Sequence, residues 1–323
     1  MIGIGYGFYL AAMTVSTMDP LHLGAENKEG YWGEKTSSVN FCEVDYQWTP
    51  YIAELWNMLS SFVIVMFPII GLMYSNPTKE KRFTLCYIIL GIVGSGSVAL
   101  HTSLTAETQA CDEVPMLWMT TALLYCIVDT KQGTSSSFFA SISVVISIVL
   151  TYTYAHVASF YHVFVGVYLS MVLFILVSLA RMLWNDTGIK KKLFMMGLFA
   201  YVIVGSSVWV LDMFMCEKLS FLYIGGITLH PLWHLAAGYA SYSTISLLIA
   251  HRIEELKLGV PMLNWTLYIV PLIGVKKGKK ATTSSPAAIG TRKSARQAKE
   301  SPADVNVRKS SRSRSSGRRT KKK

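Results

Sequence analysis

The chain has 323 residues, of which 52% are hydrophobic and only 15% charged, with a formal net charge of +11. The charge is segregated: residues 272–323 hold 17 Lys and Arg against Glu300 and Asp304, a net of +15, so residues 1–271 are apolar and slightly acidic. Repeated apolar runs of about 20 residues exclude a soluble globular domain, because each is long enough to cross a hydrocarbon core.

In chain order, residues 1–23 form an N-terminal extension. It is uncharged through Met18 and lacks the basic start of a signal peptide. Gly3, Gly5 and Gly7 weaken it as an eighth span, and spanning, cleaved and lumenal readings stay open. A polar loop, 24–50, follows. Seven spans are expected at about 51–74, 84–103, 113–130, 136–155, 160–181, 193–214 and 229–251, within a catalytic domain of 51–255. The expected class is an all-α membrane protein, a seven-transmembrane helix bundle with an intramembrane metal site.

Loop charge sets the orientation. Lys79, Lys81 and Arg82, then Lys131, then Arg181 and Lys190–Lys192 alternate with loops at 104–112 and 155–159 that carry no Lys or Arg. The basic tail, 256–323, falls on the Lys-rich side and is placed in the cytosol, which makes loop 24–50 lumenal. From about 281 the tail is Ser-, Arg- and Lys-rich and is expected to be disordered, since it has too little apolar surface to offset its ordering entropy. Anionic lipid headgroups suit it as partners. Nucleic acid does not, since no aromatics are interleaved to stack on bases.

His230 and His234 stand four residues apart at the start of the seventh span and share one helix face. His101 ends the second span at the same depth, with Ser97 one turn before it. Polar groups inside a bilayer are expensive and mark functional sites. Three imidazoles are the ligand set of a catalytic zinc that keeps a fourth position open. Asp112 opens the third span and can take a proton from a zinc water, with Glu113 competing for that role. His22, His156, His162 and His251 have no such partner and are read as loop or interface residues.

The text GYWGEKTSSVNFCEVDYQWTPYIAELWN at 30–57, GSVALH at 96–101, DEVPM at 112–116, WVLDMFMC at 209–216 and HPLWH at 230–234 resembles the alkaline ceramidases. These are seven-span zinc hydrolases of the superfamily that includes the adiponectin and progestin receptors. The resemblance implies hydrolysis of ceramide, with zinc on His101, His230 and His234, Asp112 as proton carrier and Ser97 at the carbonyl oxygen or water. It also implies a calcium site on Asn40, Phe41 (through its carbonyl), Glu43, Asp45 and Glu54, where the family text usually reads D-W-C-E-x-N-Y and Asp and Asn have here traded ends. It pairs Cys42 with Cys216, although Cys42–Cys111 stays open from position alone, and it includes Asp212 as a buried structural or proton-handling acid. Endoplasmic reticulum or Golgi is the implied location. A receptor with a slow or vestigial zinc site is the alternative, because receptor relatives share the histidines.

Overall fold

The structure is a computed structural model that describes residues 29–132, 137–156 and 160–276. The N-terminal extension, His22 and the segment from 281 lie outside the described residues. Apolar chain in lipid must satisfy its own backbone hydrogen bonds, so it folds as helices. These are α1 (Leu55–Tyr74), α2 (Lys81–Ser103), α3 (Ala106–Gln132), α4 (Ser137–His156), α5 (Phe160–Met182), α6 (Ile189–Phe214) and α7 (His230–Glu255). Among the described residues, six helices, α1–α6, are long and apolar enough to cross a membrane. The chain is a mostly helical integral membrane protein. The outermost of these helices, α4, buries none of its residues and exposes Phe138, Val144, Val145, Ile148 and Val149. A patch of that kind is unfavourable in water and at home against acyl chains.

Helix α7 has 26 residues but is less apolar, since it carries His230, His234, Ser241, Ser243 and Ser246. It lies inside the bundle, against α1 and α6 and touching α2 and α3. Its Tyr242, Ile245 and Leu247–Ala250 are fully buried. Within α6, residues Phe199–Gly205 widen into a π turn, a feature often found beside functional sites. It lies where Gly205 lets α6 approach Trp233 and Ala236 of α7.

Close helix contacts rest on small residues. A Cβ on Gly96 of α2 would fall 2.0 Å from the Cys111 carbonyl oxygen and 2.9 Å from the Asp112 nitrogen. The α2–α3 joint is only Leu104–Thr105. Leu104 takes a left-handed φ of 52°, and its carbonyl accepts from the Thr36 and Ser37 amides of the N-terminal loop. Thr105 Oγ1 accepts from the Thr108 amide, in the manner of an N-cap, so α3 starts at Ala106 rather than near 113. Asp112 therefore sits in its second turn.

At the other end of the bundle, Arg82 pairs with Asp129 and, at 2.5 Å, with Glu80, while Arg252 reaches Glu80 at 2.8 Å and Glu255 at 3.1 Å. The expected all-α class gains one sheet at this end. Residues assigned above to the tail form an antiparallel hairpin, β1 (Val260–Thr266) and β2 (Val270–Lys276), with Val260 opposite Lys276. Gly259 and Pro261 stop helix continuation. Val270 and Ile273 are buried in the main core, the Ile273 amide donates to Ser75 Oγ at 2.9 Å, and Tyr242 Oη donates to the Pro271 carbonyl at 2.7 Å.

Candidate metal centre

The three histidines singled out in the sequence converge. His101, His230 and His234 are all buried, and one ligand atom from each lies within 4.8 Å of the others, so the group can hold a metal ion. The Nε2 atoms of His101 and His234 face each other at 3.2 Å. His230 is stacked on Phe41, with centroids 3.6 Å apart, and its Nδ1 is buried with no hydrogen-bond partner.

The surrounding bonds fix the tautomers. Ser60 Oγ donates to the Asn57 carbonyl at 2.9 Å, which uses its one proton. With that proton on the carbonyl, Ser60 accepts from His234 Nδ1, 2.7 Å away, and this tautomer leaves a lone pair on Nε2. His101 Nδ1 lies 2.5 Å from Glu54 Oε2 and donates to it, leaving a lone pair on its Nε2 as well. Two lone pairs aimed at each other across 3.2 Å repel unless a cation lies between them. Carboxylate and hydroxyl partners on the far ring nitrogens are the usual outer shell of metal-binding histidines. The donor set therefore fits a metal ion.

Ser97 Oγ lies 3.4 Å from His234 Nε2 and 3.0 Å from Ser61 Oγ. Ser61 also reaches the Asn57 carbonyl at 2.8 Å, and when it donates there Ser97 is the donor of that pair. Asp112 and Glu113, left as competitors by the sequence, separate here. Glu113 is buried and accepts from Gln109 Nε2 and Tyr154 Oη, each at 2.8 Å. Asp112 is half-buried, and the contact over Gly96 brings its backbone against α2 one residue from Ser97. Both acids, with Ser97, His230 and His234, line a cavity of about 290 Å³. The rest of its wall is mainly apolar, including Leu123, Phe164, Leu176 and Trp209 from α3, α5 and α6.

Asp212 supports the centre from behind. Its carboxylate accepts from the backbone amides of Cys42 at 3.0 Å, Leu229 at 2.9 Å and His230 at 3.2 Å. It thus caps the N-terminus of α7, where orphan amides need an acceptor and the helix dipole favours an anion. Cys42 and Cys216 form a disulfide beside it, and Cys111 is free and exposed. Asp212→Ala strands buried donors and removes the cap, so it is expected to cost about 3 kcal/mol, read as a lower melting temperature in detergent.

The N-terminal loop residues also gather near the histidines. Phe41 packs on both His230 and His101. Glu43 is buried, with its two oxygens accepting from the Trp56 and Asn57 amides at 2.7 and 2.8 Å. Burial and the neighbouring Glu54 charge push Glu43 up to about 8. Glu54 Oε1 is buried without a partner. Lys35 Nζ contacts Asn40 Oδ1 and lies 3.6 Å from Asp45 Oδ2. The loop thus places several oxygen donors near one another, the donor type that calcium takes, while among the described residues the three histidines are the group whose ligand atoms lie within 4.8 Å of one another.

Sequence reasoning missed Ser60, Ser61 and Asn57, which orient His234, because small polar residues near a span end carry no pattern of their own. The bond from Glu54 to His101 was also hidden, since nothing in the spacing of the two links them. Of the remaining histidines, His156, His162 and His251 lie outside the cluster.

Comparison with known proteins agrees with the motif resemblance. A family model described as Ceramidase matches residues 33–273. Alkaline ceramidase 3 of Mus musculus is 29% identical over 228 residues, covering 68% of this chain and 85% of its own length. An alkaline ceramidase of Arabidopsis thaliana is 26% identical, covering 79% of this chain and 99% of its own. An alkaline ceramidase of Saccharomyces cerevisiae is 28% identical, covering 79% and 89%. The match takes in most of the loop, the seven helices α1–α7 and most of the hairpin, and the chain belongs to the ceramidase family.

Proposed function

We propose that this protein is an alkaline ceramidase, which hydrolyses the amide bond of ceramide to a sphingoid base and a free fatty acid. The observation that carries the reading is the convergence of three buried imidazoles, with the Nε2 atoms of His101 and His234 3.2 Å apart, at the polar end of an apolar cavity. Three neutral imidazoles suit zinc, with His101, His230 and His234 as ligands. When bound, zinc supplies Lewis-acid polarisation of a carbonyl oxygen and acidifies a water. Asp112 takes the proton from the attacking water and returns it to the leaving amine nitrogen, as a general base and then a general acid. Ser97 turns its hydroxyl from Ser61 to the carbonyl oxygen, where charge develops. The apolar wall holds the two hydrocarbon chains, and Glu113, engaged by Gln109 and Tyr154, keeps its place in the helix packing.

In this reading α7 is the seventh span. Calcium is the second metal, on Asn40, the Phe41 carbonyl, Glu43, Asp45 and Glu54. The loop is lumenal and the basic tail cytosolic, against anionic headgroups, in the endoplasmic reticulum or Golgi.

The test is fatty-acid release from a panel of ceramides by the purified full-length protein at alkaline pH, with metal content measured on the same sample. Wild type is expected to release fatty acid. Asp112→Asn is expected to keep its zinc and lose about 10²- to 10⁴-fold in rate. No release from any ceramide at one zinc per chain would favour a lipid receptor instead.

A further inference from the structure

We propose that Lys35 is a built-in counter-cation of the N-terminal loop: its ammonium holds the place of calcium and must withdraw before calcium binds. The inference rests on the calcium reading just given. The geometry is direct. Lys35 Nζ contacts Asn40 Oδ1 and stands 3.6 Å from Asp45 Oδ2, two of the five residues assigned to calcium. Its charge also acts on Glu54, a third. Glu43 and Glu54 are 3% and 0% exposed, and a cation near such buried carboxyls favours their ionised form. A lysine three residues past the Tyr31–Trp32 turn supplies one from within the chain.

Two consequences follow. With Lys35 seated, the loop holds its place over the histidines in the absence of calcium, because part of the acidic charge is already compensated. Calcium also binds more weakly, since only the fraction of molecules with Lys35 displaced is competent. If that fraction is about one in ten, apparent affinity falls about tenfold. The Lys35 side chain is 29% exposed, so it has a route to solvent and the exchange requires no unfolding.

The experiment follows melting temperature and radiolabelled-calcium binding of the full-length protein in detergent, from excess chelator to saturating calcium. Wild type is expected to melt at nearly the same temperature at both ends and to bind calcium weakly. Lys35→Met is expected to melt lower in chelator, to recover as calcium is added, and to bind calcium about tenfold more tightly. Lys35→Gln, which keeps a donor for Asn40 without the charge, should behave like Lys35→Met. Lys35→Arg should behave like wild type. Equal calcium affinity in wild type, Lys35→Met and Lys35→Gln would overturn the proposal, as would tight binding by wild type with a large rise in melting temperature. Neither readout uses hydrolysis, so a failure here is distinguishable from a failure of the ceramidase reading. If no variant binds calcium at all, the calcium reading fails as well, while fatty-acid release stands on its own result.

Discussion

His234→Ala is expected to abolish fatty-acid release and to lower bound zinc to well below one per chain, while leaving the bundle folded. Three ligands are the minimum of a catalytic zinc site, and His234 has both nitrogens committed, Nδ1 to Ser60 and Nε2 toward His101. The loss should be total within assay sensitivity, because ligand removal also takes away the water activation that the site depends on. Folding should survive, since the main core is built from Tyr87, Leu90, Ile127, Ile245 and their neighbours, not from the histidines. Metal analysis and release assays on the same preparation check it. Full activity in this variant would remove the zinc assignment. Ser60→Ala is the graded companion. It leaves His234 in place without its orienting partner, and is expected to cost about 10- to 100-fold in metal affinity or rate.

The second large effect is expected at a residue with no functional group. Gly96→Ala places a methyl 2.0 Å from the Cys111 carbonyl oxygen. That atom belongs to a helix backbone, so the clash can be relieved only by moving α2 and α3 apart. Overpacking of this kind typically costs about 1–3 kcal/mol. The catalytic effect should be larger than the stability effect suggests. Ser97 follows Gly96 directly, and Asp112 follows Cys111, so separation of the helices pulls the two groups apart. A misplacement of about 1 Å can cost about 10²-fold in rate. A fall in kcat with zinc content unchanged would distinguish this from metal loss. Gly166→Ala on α5, where an added Cβ meets nothing within 4 Å, is the matched control and should be near neutral.

Much of the site is legible in the sequence, and the reason is chemical. A histidine near a span end has few uses in lipid, and the i,i+4 spacing of His230 and His234 puts both on one face whatever the tertiary fold. The apolar runs likewise announce α1 to α6 by length alone. What stays hidden depends on partners far along the chain. Asp112 and Glu113 are equivalent as text. They part only because Gln109 and Tyr154 take up Glu113. Glu54 reads as a calcium ligand, yet it also holds His101 in its tautomer. The hairpin at 260–276 is missed because the charge shift of the tail begins at about the same place. Its two short strands, each with an early proline, look like linker until Ser75 and Tyr242 are seen to bond it.

The clustered histidines are spread across almost the whole membrane domain, with His101 on the second helix and His234, 133 residues later, on α7. During synthesis at roughly 5–20 residues per second, the first ligand waits on the order of ten seconds for the others. Until α7 is made, the three histidines cannot gather and Asp212 has no helix N-terminus to cap. On the zinc-hydrolase reading proposed above, a chain that stops before α7 is therefore inert. On that reading, catalytic competence arrives with the final helix.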